Sequence, residues 1–102
     1  MLFRFRLHGL DMAELNRAEV ILRRLAREFA MEIEVSKVNE ILEHGRMGIA
    51  DVLPVLEING IVVRKNASMT ENTLRPVFEG LSAIIEREEA RPQGGASSNE
   101  KA

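Results

Sequence analysis

Three side chains able to exchange protons crowd one short stretch, with His8, Asp11 and Glu14 lying where an alternating segment gives way to a helical one. A histidine titrates near neutral pH and carboxylates accept protons, so such a trio suits general acid-base work. Each also has a plainer role. Asp11 and Glu14 make the Asp-x-x-Glu pattern of a helix start, where carboxylates accept from unpaired amides and suit the positive helix end. A lone histidine at a strand end is commonly just polar. Met12 and Met47 carry thioethers that could take soft copper, although methionine more often fills an irregular gap. His8 and His44 fall short of the four convergent ligands, or three plus water, that zinc takes. We expect no metal, no cofactor and no catalytic residue. The chain has no cysteine, so thiolate nucleophiles and disulfide exchange are excluded.

The elements that must position these residues can be read from periodicity. Residues 2–8 alternate, with Phe3, Phe5 and Leu7 on one face and Arg4, Arg6 and His8 on the other, which predicts a half-buried strand. Gly9 breaks it. A helix follows whose stripe of Leu15, Ala18, Leu22, Leu25 and Phe29, with Ile21 and Ala26 alongside, keeps one face. Residues 31–38 alternate again as a second strand. Residues 39–44 predict a short helix anchored by Ile41 and Leu42, ended by a loop over 45–48. Pro54 opens a third strand, Val55-Leu56-Glu57-Ile58. Asn59-Gly60 then turns into a fourth, because a two-residue type I′ turn needs positive φ at both central positions.

A last helix starts between Ser68 and Thr73 and buries Leu74, Val77, Phe78, Leu81, Ile84 and Ile85. Pro76 favours a cap at Thr73 or else a kink, since proline belongs in a helix's first turn. Gly80 weakens this helix by about 1 kcal/mol relative to alanine. Residues 91–102 carry no apolar periodicity and are expected to be a disordered tail after a single domain over 1–90.

At 102 residues, with 14 Lys plus Arg against 16 Asp plus Glu, the charges nearly cancel. No strong field draws the chain to nucleic acid or anionic lipid. No apolar run approaches the roughly 20 residues that cross a bilayer, and the first residues lack the apolar centre of a signal peptide. The expectation is a cytoplasmic protein that binds neither nucleic acid nor membrane.

The element order and the stretch Pro54-Val55-Leu56-Glu57-Ile58-Asn59-Gly60 resemble the small thioredoxin-like and glutaredoxin-like proteins of archaea and bacteria, over roughly residues 2–88. The resemblance implies an α/β fold, a thioredoxin-like two-layer sandwich of order β-α-β-(short α)-β-β-α on a four-stranded mixed sheet. It also implies a cis peptide before Pro54 and a binding groove formed by Gly9, Leu10, Asp11, Met12, Leu53 and Pro54. The thiol pair of that family would fall near Gly9 and Met12, or Leu10 and Ala13, and neither register holds a cysteine. Redox activity is therefore not inherited.

On the sheet face away from the long helices, Arg4, Arg6 and His8 lie beside Glu32, Glu34 and Glu57. Charges stripped of water cost several kcal/mol each unless paired, so this face must be wet, covered by the short helix, or docked on a polar partner. The fourth strand lies at a sheet edge and offers backbone groups to a homodimer or an extended peptide, with Arg64 and Lys65 guarding it. The functional expectation is a non-catalytic module with a protein or peptide partner. The alternative is a binder of a small thiol resembling glutathione, or a non-thiol enzyme, in the same groove.

Overall fold

A computed structural model describes residues 1–66 and 68–90; the expected tail over 91–102 lies outside them. Four strands, β1 (Leu2–His8), β2 (Glu32–Val38), β3 (Val55–Ile58) and β4 (Ile61–Lys65), alternate with three helices, α1 (Met12–Glu28), α2 (Ile41–Met47) and α3 (Glu71–Ala90). One turn of 3-10 helix at Ala50–Val52 precedes β3. The sheet order is β2-β1-β3-β4. β1 pairs in parallel with β2 and antiparallel with β3, and β3 pairs antiparallel with β4, so the sheet is mixed. The fold is thus α/β, with the element order the sequence predicts.

The alternation in β1 decides the layering. Phe3, Phe5 and Leu7 are buried against Leu15, Ala18, Leu22 and Leu25 of α1 and against Leu74 and Phe78 of α3, so both long helices cover one face. Phe78 stacks on Phe5 at 5.4 Å between ring centroids and meets Phe29 at 5.8 Å, an aromatic arrangement that adds to the burial itself. Truncation of Phe78 to alanine should cost about 3–5 kcal/mol in denaturant-induced unfolding, because the surrounding rings cannot collapse into the space.

The turns follow their residues. Asn59 and Gly60 both have positive φ, 51° and 84°, as the two-residue turn requires. Asn59 also accepts from the Arg4 amide at 2.8 Å through Oδ1 and donates its own amide to the Arg4 carbonyl at 2.8 Å, tying the hairpin to β1. A β-bulge opposite Leu56 and Glu57 interrupts the pairing with β4.

Two boundaries, the buried face of α2 and the cap of α3 differ from the sequence reading. Met31 belongs to the turn that closes α1, its amide reaching the Ala26 carbonyl at 2.8 Å while Ala30 takes a left-handed φ of 54°, so β2 begins at Glu32. α2 runs on through Gly45 to Met47 because the stop is Gly48, in the left-handed conformation with φ 71° that suits a helix end. α2 buries His44, whereas Ile41 and Leu42, expected as its anchors, are 69% and 78% exposed. α3 starts at Glu71 rather than at a Thr73 cap: Thr70 and Thr73 cap one another, the Thr70 hydroxyl accepting from the Thr73 amide and the Thr73 hydroxyl from the Thr70 amide. That reciprocal pair outweighs the proline preference, and Pro76 sits inside the helix.

Arg75 clasps α1 to α3, reaching Glu28 at 2.5 Å and Glu71 at 2.6 Å, with Arg24 pairing Glu71 from the other side. These guanidinium hydrogen bonds hold both carboxyls below their ordinary value of 4.5. A carboxyl lowered on folding stabilises the folded state above its unfolded value and loses that contribution as pH falls through the folded value. Thermal midpoints should therefore drop with acidification below about pH 4.5, and Arg75→Gln should make that drop shallower; an unchanged slope would dismiss the clasp.

Candidate functional site

Because β1 and β2 are parallel, both end on the same side of the sheet, with His8 opposite Val38 and the Gly9 amide donating to the Val38 carbonyl at 3.1 Å. The chain leaves β1 into α1 on one face and leaves β2 into α2, which packs through His44 against His8 on the other. Open α/β sheets bind ligands at such a divergence, beyond the carboxyl ends of the strands.

A depression of about 200 Å³ lies there, lined by Gly9, Leu10, Asp11, Glu14, Leu53 and Pro54. The Leu53–Pro54 peptide is cis. Gly9 lets β1 end hard against the helix, since a Cβ at this position would stand 3.0 Å from Leu15 Cδ2 and 3.8 Å from the Pro54 ring. Asp11 caps α1, its Oδ1 accepting from the amides of Ala13 at 3.0 Å and Glu14 at 3.4 Å. The structure thus gathers five of the six groove residues named from the sequence. Met12 is 38% exposed and stands outside the lining.

The acid-base trio is not assembled. Asp11 and Glu14 face this depression, but His8 points to the opposite face and is fully buried. There its Nε2 meets Glu57 Oε1 at 2.9 Å, and Arg6 approaches the same oxygen at 3.7 Å. His44 closes over His8 edge-on, 5.6 Å between ring centroids, and its Nε2 donates to the Val38 carbonyl at 3.1 Å. Nδ1 of each ring is buried without a hydrogen-bond partner among the described residues. A histidine held by a carboxylate resembles a base and its orienting acid, yet with His8 sealed from solvent no substrate proton is within its reach. Its role is to give the buried Glu57 carboxyl a hydrogen-bond partner.

The rest of the charged face divides accordingly. Glu57 is buried, Arg6 is partly covered, and Arg4 and Glu34 form an exposed pair at 3.2 Å, with Glu32 exposed beside it. Exposed pairs of this kind contribute little to stability. Among the described residues no three of His, Cys, Asp and Glu converge as metal ligands, and no helix is long and apolar enough to cross a membrane. No family model matches the chain, and no curated protein or solved structure does so at a significant level.

The contribution of His44 escaped the sequence reading, because Ile41 and Leu42 offered the stronger apolar pattern in so short a helix. His44→Ala should release α2: hydrogen exchange at amides of Ile41–Met47 should quicken at least about tenfold while β1 and β3 keep their protection. Equal acceleration throughout the sheet would instead make His44 part of the global core.

Proposed function

We propose that this chain is a non-catalytic, thioredoxin-like interaction module that holds an extended peptide at the carboxyl ends of β1 and β2. The observation that carries the reading is where its exposed apolar side chains fall. Leu10 and Met12, following β1, and Ile41 and Leu42, following β2, are 61%, 38%, 69% and 78% exposed. Scattered surface apolar residues are ordinary; two sequence-local pairs at one end of a sheet suggest contact with a partner.

The thioredoxin-like part of the proposal is supported by the element order, the mixed sheet and the cis bond at Pro54 facing the first turn of α1 across a shared depression. With no cysteine, that depression keeps its shape and loses its redox chemistry. Asp11 and Glu14 give it an acidic lining, so the favoured peptide joins apolar side chains, for Leu10 and Leu42, to a lysine or arginine.

Peptides selected by display on the immobilised protein should be enriched in that mixture. The double variant Leu10→Asp, Leu42→Asp alters only exposed positions, which rarely disturb folding, and should weaken the selected peptides at least about tenfold, since each apolar contact is replaced by a carboxylate that must give up its water to the peptide's apolar side chains. Undiminished binding to the double variant would remove this site from consideration.

A further inference from the structure

Between β4 and α3 runs an apolar cleft of about 420 Å³, twice the depression beside Pro54 and within the range of small-molecule sites, roughly 300–1,000 Å³. Phe3, Ile58 and Val63 form its sheet side, and Val77, Leu81 and Ile84 its helix side. Pro76 and Gly80, one turn apart on α3, complete the helical wall. Both are poor choices for a helix interior. Gly80 has no positive φ, and a Cβ there would meet nothing within 4 Å, so neither backbone nor packing asks for glycine. Its effect is to leave the cleft unfilled. Local preferences set aside without a structural gain are characteristic of binding sites.

One charge belongs to the lining. Arg64 is half-buried in the cleft, and among the described residues its guanidinium makes a single hydrogen bond, from Nη1 to the Val63 carbonyl at 3.2 Å. Arg4, Arg6, Arg23, Arg24, Arg46 and Arg75 each face a glutamate, whereas among the described residues Arg17, Arg27, Arg64 and Arg87 have no ion-pair partner, and of these four Arg64 alone is half-buried and lines the cleft. A guanidinium beside apolar walls matches a molecule with an anionic head and a hydrocarbon body, because its planar fork takes a carboxylate through two parallel hydrogen bonds.

We infer that the cleft between β4 and α3 binds an amphiphilic carboxylate, its alkyl body lying across Val77, Gly80, Leu81 and Ile84 and its head on Arg64. This site is distinct from the one proposed for a peptide, since it shares no residue with the Pro54 depression.

The test is to titrate the full ¹⁵N-labelled chain with decanoate and, separately, with 1-decanol, each below the concentration at which it aggregates. Decanoate should shift the amides of residues 61–64 and 77–84 saturably, and bind at least about tenfold more tightly than the alcohol, as expected of a charge-assisted hydrogen bond. Arg64→Gln should erase that difference by weakening decanoate alone. Gly80→Leu should weaken both ligands at least about tenfold while its thermal midpoint stays equal or rises, which separates a filled cleft from a failed fold. No saturable shift, equal affinity for acid and alcohol, or full decanoate binding by either variant overturns the inference. So does a dimer in sedimentation that Gly80→Leu converts to monomers, because a second copy would then be the occupant.

Discussion

Burial of Phe3, Phe5 and Leu7 against two helices fixes β1, and a strand whose side chains alternate has then no freedom left for Arg4, Arg6 and His8. They must emerge on the far side of the sheet, next to β2 and β3. Each solution seen there answers that constraint. Arg4 finds Glu34 in water, Arg6 leans on Glu57, and His8, too far under α2 to be hydrated, takes the same carboxylate at 2.9 Å. A register slip by one residue would put three charged or polar groups into the aromatic cluster and the aromatics into solvent. The hairpin guards against that slip, since Asn59 holds both the amide and the carbonyl of Arg4.

The parts of this architecture legible in the sequence are those governed by simple periods and by turn chemistry. Alternation in β1, the stripe of α1 and the Asn59-Gly60 turn each reflect a local rule that tertiary contacts reinforce. α2 was misread in its orientation because no such reinforcement exists. Two aliphatic residues offer an apolar face, but the surface beneath holds the His8 ring and the Val38 carbonyl, and an aromatic ring able to hydrogen-bond that carbonyl fits it better than a branched aliphatic chain. The start of α3 falls inside the stretch from Ser68 to Thr73 that the sequence allows, and only the Thr73 cap that Pro76 favours is displaced, since a threonine can cap reciprocally with another threonine as well as with an acid.

Site residues show the same split. The strand-to-helix junction at Gly9 and the Asp11 cap are legible in the sequence itself, whereas the grouping of Gly9, Leu10 and Asp11 with Leu53 and Pro54 in a groove comes from a resemblance alone, because their meeting in one depression depends on the sheet order. The cleft beside α3 had no such signature. Pro76 and Gly80 look like flaws in a helix until β4 is placed alongside, when they become the two positions at which a bulky side chain would close an opening. Arg64 likewise reads as an edge-strand guard and only in three dimensions as the cation of an apolar wall.

The bulge opposite Leu56 and Glu57 bears on how such small proteins stay apart from one another. An extra residue in the outermost strand breaks the even spacing of outward amides and carbonyls and increases its twist, so a neighbouring copy laid alongside could not keep continuous pairing. With Lys65 at the end of the same strand, the border discourages fibril growth. At high concentration the chain would consequently present a border unsuited to templating, even though four of the six residues from Ile58 to Val63 are aliphatic.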